Sequence, residues 1–101
     1  MQLARVIGSI VSTRKADRLL GLKLLVAVPV DIDTMAEKGA PFVTVDTVGA
    51  GEGELVMWAG GSSSRQTEQT HNKPVDSAIV GIVDYVDILG SRVYDKAQDA
   101  R

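Results

Sequence analysis

The sequence predicts an all-β fold, and three observations lead to this prediction. Valine and isoleucine dominate the apolar residues, aromatic residues make up only 4% of the chain, and the apolar stretches are short and separated by Gly, Pro, Asp and Ser. β-Branched residues favour pleated strands, and breaks of this composition are typical of turns between strands. A helical domain of this length would need longer apolar periods.

Five strands are expected, and the second, over residues 22–30, has the clearest pattern. Its apolar residues alternate, so they share one face of the strand. Pro29 donates no ladder hydrogen bond, which places that end of the strand at a sheet edge or a bulge. The other four strands are expected over residues 3–13, 42–48, 54–59 and 78–89. The alternating residues of the second strand are Leu22, Leu24, Val26, Val28 and Val30.

Residues 60–73, between the last two strands, contain no apolar side chain. Ser63 followed by Gln66 has the spacing of a capping box, which predicts a short polar helix over residues 63–69. A mobile loop is the alternative, because no apolar face would anchor such a helix. The polar tail of residues 90–101 is expected to fray, although Val93 and Tyr94 could dock.

Five strands with a short helix before the last one have the element order of a small closed barrel. Closure removes the long valine-rich edges that would otherwise favour aggregation. We expect one domain over residues 1–89, followed by the polar tail of residues 90–101.

The last predicted strand is apolar on both faces. A chain of this size buries only roughly 65% of its unfolded surface, so a small barrel interior cannot hide both sets. A second copy of the chain is the expected cover for the surplus, and the alternative is that the helix and loops cover it. The first set is Ala78, Val80, Ile82, Val86 and Ile88, and the second is Ile79, Val83, Tyr85 and Leu89.

Composition excludes several functions. The 11 basic and 13 acidic side chains leave a net charge of −2, which argues against a nucleic-acid partner. The chain has no cysteine and one histidine, so we expect no catalytic thiolate, no metal site and no cofactor. No stretch reaches the roughly 20 apolar residues that span a bilayer, so we expect a cytoplasmic protein without a membrane partner. A scaffold or a binding module remains.

Glycines at positions 49, 51 and 53 imitate a phosphate-binding loop. That motif requires a helix after the glycines, whereas here a strand follows. A tight turn between two strands is therefore the better interpretation.

Five segments in order resemble the EutN/CcmL family, the pentameric vertex proteins of bacterial microcompartment shells. The resemblance runs through nearly all of residues 2–87. The segments are QLARVIGSIVST (2–13), GLKLLVAVPVD (21–31), VTVDTVGAGEGELVM (43–57), GSSSR (61–65) and PVDSAIVGIVD (74–84).

The resemblance implies an OB-like five-stranded barrel that forms homopentamers, caps the vertices of a polyhedral shell beside hexameric shell proteins, and is not an enzyme. The alternative function is that of a small OB-like module that binds a metabolite or nucleic acid.

The resemblance also implies two kinds of site, one at the subunit interface and one near the five-fold axis. The implied subunit-interface residues are Asp46, Thr47, Val48, Gly49, Ala50 and Gly51. The implied residues near the five-fold axis are Gly61, Ser62, Ser63, Ser64 and Arg65, of which Arg65 could equally be an inter-subunit ion-pair partner.

Overall fold

A computed structural model describes residues 1–12, 17–71 and 75–99 of the chain. The predicted strand end at Thr13, the end of the polar segment at Lys73 and the last two tail residues lie outside these ranges. Within the described ranges, three short 3-10 turns accompany the strands, at Asp17–Leu19, Gly61–Arg65 and Lys96–Gln98. The strands are β1 (Gln2–Ile10), β2 (Lys23–Val30), β3 (Phe42–Asp46), β4 (Leu55–Gly60), β5 (Ser77–Ile82), β6 (Tyr85–Ile88) and β7 (Ser91–Asp95).

Strands β1 to β5 form a closed barrel in the order β1-β2-β3-β5-β4. The β3–β5 pair is parallel and the other four pairs are antiparallel. Closure gives every strand two partners, so the barrel leaves no open edge. The predicted all-β fold and closed five-stranded barrel are confirmed.

Small and β-branched side chains fill the barrel. On β2 the inward row is Leu25 and Ala27, whereas Leu24 and Val26 of the alternating row point outward. The row with the clearest sequence pattern is therefore the outer one. The buried core inside the barrel consists of Ala4, Val6, Leu25, Ala27, Ala50, Val56 and Ile79.

A bulge changes the expected orientation of side chains on β5. Trp58 pairs with Ile79 and Met57 pairs with Gly81, so Val80 has no partner of its own on β4. An extra residue of this kind reverses the alternation beyond it. Ile79 and Ile82 consequently both pack on the barrel core, and the predicted division of this strand into two strictly alternating sets is wrong.

The predicted strand over residues 78–89 is two strands. It breaks at Val83 and Asp84, and the second part, β6, pairs with β7 of the predicted tail. Leu89 and Gly90 form the turn with positive φ values of 50° and 81°. Fraying of the tail is therefore wrong for Ser91–Asp95, while the docking allowed for Tyr94 is confirmed.

The β6–β7 hairpin covers part of the barrel's outer surface. Val83 and Tyr94 pack with Leu55 and Val30, which lie on the outer faces of β4 and β2. The chain thus hides some of its surplus apolar surface itself. The covering element is this hairpin, not the polar helix considered in the sequence alternative.

The polar segment after β4 begins with a 3-10 turn at Gly61–Arg65 in place of the predicted helix over residues 63–69. Gly60 occupies the cap position, and no side chain caps the turn. The amide of Gln66 donates to the carbonyl of Ser63, so these two residues end the turn and do not form a capping box. Without an apolar face, the segment has nothing to extend the helix against.

Candidate assembly surfaces

The glycine-rich segment after β3 is folded around one carboxylate. Asp46 Oδ1 accepts hydrogen bonds from the amides of Val48, Gly49 and Ala50 at 3.0, 3.1 and 3.2 Å. Aspartate commonly caps such turns because its short side chain reaches its own following backbone. Lys23 Nζ donates to the carbonyl of Ala50 at 3.0 Å. The segment therefore has one defined shape.

Only part of this segment faces outward. Ala50 is fully buried in the barrel core, and the Thr47 hydroxyl donates to the carbonyl of Ile79 at 2.6 Å. Val48 and Gly49 are exposed, with 39% of Val48 accessible. Of the predicted interface residues, these two present the most surface to a neighbouring molecule.

The Gly61–Arg65 turn also divides into held and free residues. The Ser64 hydroxyl is buried and lies 2.6 Å from the Gly61 carbonyl oxygen and 3.2 Å from that of Val75. Arg65 donates from its guanidinium to the same Val75 carbonyl at 2.9 Å. Gly61, Ser62 and Ser63 are exposed.

The two predicted site segments leave the barrel on either side of β5. Asp46 pairs with Ile79 on one edge of that strand, and Gly60 pairs with Ser77 on the other. The starts of both segments therefore lie within two residues of each other along β5. From there the segments continue toward opposite ends of that strand, because β3 runs parallel and β4 antiparallel to it. The sequence alone gave their order along the chain and not this proximity.

A third surface, the apolar wall, is the outer face of β1, β2 and β3 formed by Ile10, Leu24, Val26 and Val43. Ile10 lies opposite Leu24 and Val26 lies opposite Val43 in the sheet. Val43 is 48% exposed and Ile10 is 37% exposed. The alternating pattern of β2 was the sequence signal for this wall. It continues the same outer row whose far end, Val30, lies under the hairpin.

A cluster around Arg5 ties the end of the chain to the barrel, and the sequence analysis missed it. The buried Arg5 guanidinium donates to the Asp99 carboxylate and, at 2.9 Å, to the Gly53 carbonyl. It also lies 5.7 Å from the centre of the Tyr94 ring. Burial raises the pKa of Tyr94. One arginine inside an apolar strand was the available signal, but its partner is 94 residues away.

A second ion pair joins the same two regions. Lys96 donates to the Glu54 carboxylate, which also accepts from the Gly51 amide at 2.7 Å. The Lys96 hydrogen bond, followed by that from Gly51, lowers the pKa of Glu54, and the same pairing raises the pKa of Lys96. Both pairs fix the hairpin and the residues after it on the barrel.

The side chains that could hold a metal ion are dispersed over the described residues. Within ranges 1–12, 17–71 and 75–99, no three His, Cys, Asp or Glu side chains are placed to hold a metal ion. His71, the one histidine of the sequence, is exposed in a polar turn. No helix in these ranges is long and apolar enough to cross a membrane.

The fold and its surfaces define a class: a small closed β-barrel whose distinctive external features are shaped turns and apolar faces suited to contact with other proteins. The family model described as "Ethanolamine utilisation protein EutN/carboxysome" matches residues 1–84. The chain belongs to this EutN/CcmL family.

Individual relatives agree with this assignment. The carboxysome shell vertex protein CcmL of Synechocystis sp. is 40% identical, with both chains covered completely. The solved structure of Gloeobacter violaceus CcmL superposes with a TM-score of 0.90 at 34% identity, covering 96% of this chain and 99% of that one. The GrpN pentameric microcompartment shell protein from Rhodospirillum rubrum gives a TM-score of 0.77 at 45% identity, covering 87% and 100%.

Proposed function

We propose that this chain is a structural shell protein that forms homopentamers at the vertices of a polyhedral bacterial microcompartment in the cytoplasm. One observation carries the proposal. The chain shares its family, its barrel and 45% of aligned residues with a protein described as a pentameric microcompartment shell protein. Such a protein determines the shape of the shell, so the proposal assigns it no catalytic role.

Geometry explains why a shell needs such a subunit. Hexagonal units tile a flat layer, and replacing one hexagon by a pentagon removes a wedge and forces curvature. A closed polyhedron therefore needs five-fold points. Hexameric shell proteins are the proposed partners, because they would form the facets that surround each pentamer.

Within the ring, we propose that residues 46–51 lie against the next subunit. Exposed Val48 supplies apolar surface, and Gly49, with φ of 81°, has no side chain to hold a neighbour away. The fixed shape of the segment supports this role, because a preordered contact loses little conformational entropy on assembly.

Around the ring axis, we propose residues 61–65. Gly61, Ser62 and Ser63 are the exposed members, so five copies would surround the axis with backbone and hydroxyl groups. Ser64 and Arg65 hold the turn to Val75 within each subunit.

The division into a domain of residues 1–89 and a tail of residues 90–101 stays a prediction, and β6 pairs with β7 across that boundary.

Native mass spectrometry of the purified chain tests the ring. Five subunits of 10.7 kDa give 5 × 10.7 = 53.5 kDa. A monomer or dimer at micromolar concentration would contradict the proposal.

Co-expression with hexameric shell proteins tests the vertex role. Electron microscopy should show closed polyhedra when this chain is present, and shells with open vertices or open sheets when it is absent. Closed shells formed equally well in its absence would overturn the vertex role.

Val48→Asp tests the proposed interface. A carboxylate placed in an apolar contact is costly to bury, so the ring should dissociate at a subunit concentration at least about tenfold higher. Thr34→Asp is the control, because it adds the same charge at an exposed position outside both proposed segments, where a carboxylate can still accept from the Ala36 amide. A ring that Val48→Asp leaves unchanged would remove Val48 from the interface.

A further inference from the structure

The tip of the β6–β7 hairpin carries a side chain that local rules do not explain. Leu89 is 101% exposed and has a φ of 50°, followed by Gly90 at 81°. Leucine is disfavoured at positive φ, and turns of this type ordinarily use Asn or Asp before Gly. A strained, apolar and fully exposed residue is a reason to look for a contact outside the subunit.

The hairpin that carries Leu89 is held in a fixed orientation. Tyr94 packs on the barrel, Asp99 pairs with the buried Arg5, and Lys96 pairs with Glu54. An isolated two-stranded hairpin is only marginally stable, so these contacts supply the anchoring that it needs. The fixed base and the complete exposure of its side chain make Leu89 a preorganised projection.

A groove suited to such a side chain lies on the apolar wall. It encloses about 170 Å³ between Leu24, Val43 and Val45 on the barrel and Leu19 and Val75 beside it. That is the volume of roughly five to six liquid waters, which accommodates the four carbons of a leucine side chain. Asp76 is the one charged residue among those that line it.

We propose that Leu89 of one subunit inserts into this groove on the next copy of the chain around the ring. The projection and the groove are different surfaces of one molecule, and contacts between unlike surfaces are the kind that close a cyclic ring. The groove is also continuous with the proposed interface, because β3 runs from Val43 directly into Asp46 and then Val48. This inference rests on the proposed pentamer.

A different groove makes a useful comparison. About 350 Å³ lies between Leu3, Val30, Ile32 and Met57, and Leu3, Val30 and Met57 pack in the same outer cluster as the hairpin. If Leu89 of one copy occupied this groove of another, the contact would lie on the hairpin side of both copies and could pair them back to back. We assign Leu89 to the groove on the apolar wall because β3 joins that groove to the proposed interface at Val48, whereas no part of residues 46–51 lines the second groove.

Cysteine cross-linking distinguishes these arrangements, and the chain contains no native cysteine to interfere. In the double variant Leu89→Cys/Val43→Cys, a short bismaleimide should link each subunit to the next. Denaturing gels should then show a ladder that ends at five subunits. The matched control, Leu89→Cys/Ile32→Cys, should show no such ladder, and neither single variant should exceed a dimer.

Each outcome has one meaning. A ladder with Val43 and none with Ile32 supports the inference. Three results would overturn the inference while the proposed function stands. They are a native pentamer of the unmodified chain without a Leu89–Val43 link between subunits, a link formed only within one subunit, and dimers linked through Ile32. An unmodified chain that is monomeric in native mass spectrometry overturns the proposed function, and the inference fails with it.

Leu89→Asn provides an independent test with opposite expectations for subunit and ring. Asn-Gly is the preferred pair for a turn of this type, so the hairpin itself should be at least as stable, as measured by hydrogen exchange. The ring should nevertheless dissociate at a subunit concentration at least about tenfold higher. Leu89→Met, which keeps an apolar side chain, should retain the ring. Unchanged ring dissociation in Leu89→Asn would overturn the contact.

Discussion

The barrel and the β6–β7 hairpin are both antiparallel β structure, but they are stabilised in different ways. In the barrel every strand has two partners, and the residues inside, such as Ile79, are completely buried. In the hairpin each strand has one partner, one face packs on the barrel, and the tip at Leu89 is bare. The barrel is therefore complete within one subunit.

The hairpin depends on side chains that lie far away in the sequence. Its anchors are the aromatic ring of Tyr94 and the ion pairs of Asp99 and Lys96 with the barrel. The difference teaches that one chain combines a self-sufficient scaffold with an attached element whose surface is only partly used. Substitutions in the two regions should consequently differ in size and in where their effects appear.

The largest effect is expected inside the barrel. Ile79→Ala removes methyl and methylene groups from a closed interior that cannot collapse around the gap, so the free energy of unfolding should fall by about 2–5 kcal/mol. Urea unfolding at a fixed subunit concentration measures this, because association also contributes to stability. Ile32→Ala, at a half-exposed position, is the control and should cost less than half as much. Equal losses would contradict the comparison.

A smaller and local effect is expected at the anchor. Asp99→Asn leaves the buried Arg5 guanidinium without its carboxylate, and loss of a hydrogen bond between charged groups costs about 1.5–3 kcal/mol. Amide exchange should accelerate in β6 and β7 while barrel amides keep their protection. Asp87→Asn is the matched control, since Asp87 pairs with the exposed Arg92 and should matter little. Faster exchange throughout the barrel would show that the hairpin is not a separate unit.

The sequence predicted the barrel better than the hairpin, and the reason is physical. Alternation and β-branched composition identify strands, so β1 to β4 lie close to where they were expected, and β5 is the first part of the strand expected over residues 78–89. Alternation does not say which row faces inward. The outer row of β2 is as apolar as an inner row because the hairpin covers Val30 at one end, while Leu24 and Val26 remain half-buried at the other.

Three features of the C-terminal third escaped prediction. The bulge at Val80 was marked in the sequence only by the neighbouring Gly81, since valine itself is an ordinary strand former. Leu89 hides the turn, since leucine is not a residue expected at positive φ. The Arg5–Asp99 pair joins residues 94 positions apart, and no local pattern predicts such a contact. The residues of the candidate surfaces could be named from the sequence. Which of their side chains point inward could not.

The smallest effect is expected at the exposed anchor, and it depends on pH. The pKa of Glu54 is lowered below its ordinary 4.5 by the Lys96 hydrogen bond, so its contribution is present above that value and is lost as the pH falls through the lowered pKa. The pKa of Lys96 is raised above 10.5, so its contribution is present below that value and is lost as the pH rises through the raised pKa. In Glu54→Gln, the losses of stability at acidic pH and at alkaline pH should both become smaller. The Tm at neutral pH should fall by at most about 4 °C, because the pair is largely solvated. Thermal unfolding followed from pH 3 to pH 11 measures both losses. Glu68→Gln, which removes an exposed carboxylate elsewhere, is the control. Identical pH profiles for Glu54→Gln and the unmodified chain would contradict a role for this ion pair. Tyr94 and Asp99 would then be sufficient to anchor the hairpin, and its attachment would depend on buried contacts, as the stability of the barrel does.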